Sequence, residues 1–293
     1  MGTSFGLGGS YTPAGTGLVL NRMGYGAMQL TGPMAWGPPD DREGAIAVLR
    51  EAVQLGIDHI DTSDYYGPHV ANEIIREALH PYPKGLTIVT KVGARRGADK
   101  SWRPARSKRA LEDAVHDNLR NLRLDALDVV NLRVGGPFGP AEGSIAEPLS
   151  VLVDLQARGL IRHIGLSNVS ARQFDEGERI AEIVCVQNHY NLGHRHDDAL
   201  IDRLAGKGVA FVPFFPLGGF RPLKSSVLDK AAAALRATTR QVALAWLLLR
   251  APNILVIPGT SSVEHLRENV RAASLRLPVE IVARLNGIAS PAA

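Results

Sequence analysis

A single (β/α)8 TIM barrel of the α/β class is the fold this sequence predicts, and three observations predict it. Short β-branched runs alternate with longer amphipathic stretches almost from end to end of the 293 residues. Eight such strand-helix units fit, and no long Pro- or Ser-rich linker divides them, so residues 1–293 read as one domain. The glycine fingerprint of the rival doubly wound nucleotide-binding sheet is incomplete. Gly24-Tyr25-Gly26 begins it, but Gln29 stands where the third glycine belongs.

The elements follow in order. Residues 6–17, rich in glycine, predict an N-terminal β-hairpin, and Val19 to Ala27 the first barrel strand. Asp41 to Leu55 predicts a helix, with Ala45, Val48, Leu49 and Ala52 at helical spacing and Gly56 in the left-handed position that ends it. Further strands are read at His59-Ile60-Asp61, Leu86 to Lys91, Ala126 to Leu132 and Ile161 to Leu166. Ile183 to Gln187, Ala210 to Phe214 and Ile254 to Ile257 complete the set. Helices are read over 70–79, 107–122, 145–158, 171–179, 197–206 and 226–250. Ser261-x-x-Glu264 reads as a capping box opening a short helix, and extra C-terminal helical sequence resumes near 278.

Composition narrows the function classes. Hydrophobic residues make up 45% and charged residues 21%, which describes a globular chain. Lys plus Arg exceed Asp plus Glu by 33 to 29, too small an excess to argue for nucleic acid. Seven basic residues (Arg95, Arg96, Lys100, Arg103, Arg106, Lys108 and Arg109) do crowd one region, yet no nucleic-acid motif accompanies them. A solvated loop, an ion-paired surface or an anionic-ligand gate is the better reading. Cys185 is the sole cysteine, which excludes an internal disulfide framework and fits a reducing cytoplasm. No apolar run reaches the roughly 18 residues a membrane span needs. His194-Arg195-His196-Asp197-Asp198 lacks a partner cluster, so it reads as the polar start of the next helix and no metal is expected.

Barrel chemistry collects at the carboxyl ends of the strands, and polar residues stand there. Strand 2 ends in Asp61-Thr62-Ser63-Asp64-Tyr65-Tyr66-Gly67, strand 3 at Lys91, strand 4 at Asn131-Leu132-Arg133, strand 5 at Ser167-Asn168 and strand 6 at Gln187-Asn188. Strand 7 runs into Phe214-Phe215-Pro216-Leu217-Gly218, and strand 8 into Pro258-Gly259-Thr260-Ser261-Ser262. Alone, Asp61-Thr62 reads as a helix cap, Lys91 as a solvated lysine and Gln187 as a satisfied polar residue. On successive strand ends, each behind an apolar run, they read as a site.

This set resembles the aldo-keto reductase family over essentially the whole chain. The motifs that carry the resemblance are Gly56-Ile57-Asp58-His59-Ile60-Asp61-Thr62 with Tyr66-Gly67, Lys91-Val92-Gly93, Ile164-Gly165-Leu166-Ser167-Asn168 and Val186-Gln187-Asn188. Pro216-Leu217-Gly218-Gly219 and Ile257-Pro258-Gly259-Thr260 with Glu268-Asn269 complete them. Met23 to Leu30, Tyr66 to Val70, Asp128 to Arg133 and Val212 to Phe220 also resemble the bacterial pyridoxal reductases of that family.

The resemblance implies an NADPH-dependent oxidoreductase that reduces an aldehyde or ketone, with pyridoxal as the expected substrate. Tyr66 is then the proton donor, Lys91 the cation that favours its phenolate, and Asp61 the lysine's partner; Tyr65 is the neighbouring alternative. A free phenol ionises near pH 10, so the tyrosine needs such help. Arg133 stands where most relatives carry histidine; it is a fixed cation with several donors, suited to orienting a carbonyl oxygen or lowering the Tyr66 pKa.

The resemblance also places NADPH/NADP+. Ser167, Asn168 and Gln187 are expected at the nicotinamide carboxamide and Phe214 on the ring. Leu217 and Gly218 are expected along the pyrophosphate, Ser261, Ser262, His265 and Arg267 at the 2′-phosphate, and Asn269 at the adenine. Gly26, Ala27, Met28, Asp61, Phe215, Pro216, Ile257, Gly259 and Thr260 complete the expected cofactor wall. Gly259 stands where many relatives have a phosphate-contacting lysine. Expected partners are a small-molecule carbonyl substrate, with no nucleic acid and no membrane, and the chain is expected as a monomer or small homo-oligomer. The alternative from another class is a cofactor-sensing regulatory subunit that binds NADPH with little turnover, against which the intact Asp61, Tyr66 and Lys91 argue.

Overall fold

The computed structural model describes residues 6–136, 139–219 and 223–288. Seven parallel strands, β3 (Tyr25–Gly26), β4 (His59–Asp61), β5 (Thr87–Val92), β8 (Leu127–Arg133), β9 (Ile161–Ser167), β10 (Ile183–Gln187) and β11 (Ala210–Phe211), hydrogen-bond in chain order. The segment from Ile254 to Val256 closes the ring. Phe211 bridges Ile254 on one side, and Met23 bridges Val256 on the other. Gly24 N donates to Val256 O at 2.8 Å and Val256 N to Arg22 O at 2.9 Å. The eight-stranded α/β barrel expected from the alternation is therefore present.

Two apolar layers hold it. Val89, Val129, Val184, Val212 and Leu255 form the barrel interior, capped by Leu20 with Tyr11 and Leu18. Their strand neighbours Ile88 and Val130 belong instead to the larger cluster shared with the surrounding helices. This alternation is the two-residue period of a strand buried on both faces.

The outer helices start where side chains cap them. Asp41 accepts from Gly44 N to begin α1 (Arg42–Gln54), and Ser107 accepts from Ala110 N to begin α3 (Lys108–Leu122). Between them α2 (Val70–Leu79) follows the β4 loop. α4 (Ala146–Ala157), α5 (Ala171–Glu178) and α6 (Asp198–Gly206) follow β8, β9 and β10.

Four expectations need correction. The opening hairpin pairs β1 (Ser10–Tyr11) with β2 (Leu20–Asn21), so it takes in residues read as the first barrel strand, of which Tyr25–Gly26 joins the sheet. The helical run 226–250 is two helices, α7 (Ser226–Leu235) and α8 (Thr239–Arg250). Arg236 turns left-handed at φ 50°, and Thr238 with Gln241 forms a fresh capping box. After the ring closes, α9 (Val263–Arg271) is capped by Ser262, which accepts from His265 N; Ser261 and Glu264 do not form the expected box. α10 (Val279–Asn286) ends the described chain. The basic region after β5 is not a plain loop. It holds an antiparallel hairpin of β6 (Ala94–Arg96) and β7 (Trp102–Pro104).

Candidate active site

A cleft opens at the carboxyl ends of the strands. Asp61 reaches it from the end of β4, Lys91 from β5, Arg133 from β8 and Gln187 from β10. Lys91 Nζ donates to Asp61 Oδ1 at 2.5 Å and to the Thr62 carbonyl at 2.9 Å. Gln187 Nε2 donates to the other carboxylate oxygen of Asp61 at 2.7 Å. Lys91 and Asp61 are 2% and 4% exposed, so each ion has lost its water and depends on the other.

Tyr65 and Tyr66 stand edge to face in the cleft wall, with ring centroids 5.4 Å apart. Lys91 Nζ lies 5.3 Å from the Tyr66 ring centroid. Burial and then the Asp61 carboxylate hold the Tyr66 phenol well above its ordinary value, and the Arg133 guanidinium opposes them. Burial also raises Tyr65, to about 12, against the fields of Arg133 and Lys91. Both phenols carry their protons at neutral pH.

Arg133 is held at the rim. Its Nη1 donates to Ser167 Oγ at 3.3 Å, its Nη2 donates to the Gly136 carbonyl at 2.7 Å, and the guanidinium lies 5.2 Å from the Phe214 ring centroid. Phe214 is in turn backed by His189, stacked at 5.5 Å, and His194 stacks on His189 at 3.9 Å. Burial, with its two neighbouring histidines, lowers His189 to about 4, which keeps this support neutral. Of the histidines read as the start of α6, His194 thus stacks on His189 behind Phe214 and His196 meets His194 edge-on, while Asp197 at the N-cap makes no side-chain cap bond there.

The structure brings most of the expected residues together. Gly26, Met28, Asp61, Tyr66, Lys91, Arg133, Gln187, Phe214, Phe215, Pro216, Leu217, Ile257 and Gly259 line one cleft. Ala27 is buried behind it, and Gly218 turns the loop at φ 96°. Ser167 contacts the cleft through Arg133. The Asn168 amide nitrogen is spent on the carbonyls of Gly136 and Gly139, bracing that loop.

Thr260, Ser261, Ser262, His265, Arg267 and Asn269 lie off the cleft lining, in and before α9. The Thr260 carbonyl accepts from Tyr25 Oη at 2.6 Å. Arg267 Nε donates to Glu51 Oε1 of α1 at 2.7 Å, a partner the sequence pattern did not show. Trp102 on β7, which the sequence reading missed, lines the cleft, as do Gln29, Gly219 and Pro258 from the quoted motifs. A tryptophan inside the basic run was the available signal.

The donor set can be tested against a nicotinamide dinucleotide. Gln187 Oε1 and Asn269 Oδ1 are buried with no hydrogen-bond partner among the described residues. Such acceptors cost free energy unless an N–H reaches them, and a carboxamide and an adenine amino group are suitable donors. Gly26 and Gly259 make a floor no side chain could occupy. A Cβ on Gly26 would lie 2.6 Å from the Ile257 carbonyl, and one on Gly259 2.6 Å from that of Gly26. The residues present fit the group.

A profile of the aldo/keto reductase family matches residues 22–290. The chain belongs to that family. It is 66% identical over 271 residues to the pyridoxine 4-dehydrogenase of Escherichia coli K12, covering 92% of this chain and 95% of that protein. A thermostable aldo-keto reductase solved with the inhibitor epalrestat superposes with a TM-score of 0.81 at 29% identity, covering 95% and 99% of the two chains. An aldo/keto reductase from Klebsiella pneumoniae, solved with NADP and acetate, superposes with a TM-score of 0.73 at 25% identity, covering 92% and 91%. As an aldo/keto reductase, the chain is an oxidoreductase of carbonyl and alcohol pairs.

Proposed function

We propose that this chain is a cytoplasmic, NADPH-dependent reductase of pyridoxal, interconverting it with pyridoxine. One observation carries the reading. A desolvated Lys91–Asp61 pair, fixed by Gln187, sits under a cleft whose wall presents the protonated phenol of Tyr66. The Escherichia coli pyridoxine 4-dehydrogenase supports the choice of substrate, and the Klebsiella pneumoniae complex supports the choice of cofactor.

Gln187, Phe214 and the Gly26–Gly259 floor would hold NADPH, which would supply the hydride to the aldehyde carbon. Reduction leaves negative charge on the carbonyl oxygen, and Tyr66 Oη delivers the proton that quenches it. Arg133, the cation that opposes the raised phenol pKa, stabilises the charge left on Tyr66 until a solvent proton restores it. Lys91 acts from below the ring, and Asp61 fixes the ammonium against strand β4. Pyridoxal carries an ionised phenolic oxygen beside its aldehyde, and the Arg133 guanidinium is suited to that anion. At the far end, Ser262, His265 and Arg267 would receive the 2′-phosphate, with Arg267 turning from Glu51 to do so. A monomer or small homo-oligomer is the form we propose.

A panel of pyridoxal, 4-nitrobenzaldehyde and propanal with NADPH, read as loss of nicotinamide absorbance, tests the proposal. Pyridoxal should be turned over with the highest kcat/KM. Turnover of the other aldehydes alone would remove the substrate. Tight NADPH binding with no turnover of any aldehyde would favour the cofactor-sensing alternative.

A further inference from the structure

The β6–β7 hairpin carries seemingly redundant positive charge, yet its two faces differ. Arg95 pairs across the hairpin with Arg103 and Arg96 with Trp102, so the two pairs alternate in facing. Arg95 and Arg103 are exposed, and Arg103 is ion-paired with Asp99 at 2.9 Å. Arg96 turns the other way. Its guanidinium lies 4.2 Å from the Trp102 ring centroid and 5.2 Å from that of Trp36. Arg96 Nη1 donates to the carbonyls of Ala35 at 2.7 Å and Met34 at 3.2 Å, and Nη2 to that of Lys100 at 2.9 Å.

Those acceptors are presented on purpose-shaped backbone, for Met34 and Ala35 both adopt left-handed φ, 60° and 54°. The Ala35 carbonyl also accepts from Gly67 N at 3.1 Å, and Gly37 N donates to the Gly67 carbonyl at 3.0 Å. Gly67 follows Tyr66 directly. Trp102 meets Tyr65 edge-on at 5.5 Å and Tyr66 at 6.4 Å, and it lines the cleft. One arginine therefore ties the hairpin, the 34–37 rim and the loop of the catalytic tyrosine into a single aromatic wall.

We propose that Arg96 is a positioning residue that pins Trp102 against Tyr65 and Tyr66, and that this wall selects flat aromatic aldehydes over small aliphatic ones. The inference rests on the cleft being the carbonyl site, but not on pyridoxal being the physiological substrate. Arg96 does not line the cleft. It acts through the angle of an indole ring, which a planar ring needs as a stacking surface and a short alkyl chain does not.

The test compares kcat/KM for 4-nitrobenzaldehyde with that for propanal. Arg96→Met keeps the apolar stem and removes the fork. It should lower the aromatic-to-aliphatic ratio by about tenfold, the loss appearing in KM more than in kcat. The NADPH Kd, read by fluorescence titration, should stay within about twofold of wild type. Trp102→Ala should shift the ratio in the same direction, and the double variant should lose little more than either single one. Equal losses on both aldehydes, a weakened NADPH Kd, or additive losses in the double variant would overturn the proposal. If Arg96→Met does not fold, Arg96→Lys serves. It keeps the charge without the fork, should shift the ratio the same way, and an unchanged ratio would count against the pin. Failure of wild type on pyridoxal, by contrast, would remove the substrate and leave this comparison intact.

Discussion

At Tyr66 a single proton answers to two opposing influences. Burial and the Asp61 carboxylate keep it on the oxygen, and Arg133 draws it off. Because the phenol titrates above its ordinary value, the reducing form is present through neutrality and is lost only as pH rises through that raised value. Reduction should therefore hold a flat kcat/KM across neutral pH, while alcohol oxidation, which needs the phenolate, should climb with pH. A reduction rate already falling through neutrality would contradict this assignment. Arg133→Met removes the opposing cation and the proposed partner for an ionised substrate oxygen. Pyridoxal should lose about tenfold to a hundredfold in kcat/KM, more than an aromatic aldehyde without the phenolic oxygen. Equal losses on both would give Arg133 a general role. Asp61, Lys91, Arg133 and Gln187 were legible in sequence because each ends an apolar run, and a barrel gathers such ends. Trp102 and the Arg267–Glu51 pair were not legible. Glu51 lies far along the chain from Arg267, and the β6–β7 pairing that aims Trp102 has no local period pointing to it.

Among the elements, the β4–α2 loop is held from beneath by polar side chains. Asn72 Nδ2 donates to Asp64 Oδ1 and to Asn118 Oδ1, and its own Oδ1 accepts from Thr62 Oγ1 at 2.9 Å. His69, left-handed at the start of α2, meets the Asp64 carboxylate at 2.6 Å. The hydrogen bond to Asp64 raises the His69 pKa, with burial opposing it. The pair's contribution to stability is full below the ordinary histidine value and fades as pH rises through the raised one. NMR titration of the His69 ring should report a midpoint above the ordinary value, and Asp64→Asn should move it down; an unmoved midpoint would break the link. At α9, Arg267→Ala should weaken NADPH by about tenfold and NADH far less, since it removes the charged contact proposed for the 2′-phosphate. Equal weakening of both, by fluorescence titration, would place the phosphate elsewhere. The period of hydrophobic residues located these helices to within a residue or two. It could not see the break at Arg236, where both flanking segments share one helical pattern and only the Thr238–Gln241 box marks a new start.

For the whole molecule, eight strands closing through Met23 and Val256 put residues 26, 61, 91, 133, 187, 214 and 259 around one cleft. Strand alternation foretold that ring and the glycine-rich opening foretold a hairpin, but Leu20–Asn21 was read into the barrel because the same short run can serve either sheet. The proposed cofactor residues Gly26, Gln187 and those of α9 come from both ends of the chain. NADPH at about a hundred times its Kd should therefore add about 2.7 kcal/mol and raise Tm by several degrees. NADH at equal concentration should raise it less, and equal shifts would argue against NADP preference. The most direct test is a single turnover of pyridoxal with NADPH by wild type and Tyr66→Phe, which removes the proposed proton donor and almost no volume. Phenylalanine should bind NADPH as wild type does and slow nicotinamide oxidation by about a hundredfold to ten-thousandfold. A variant that keeps most of the wild-type rate would show that the proton comes from another group.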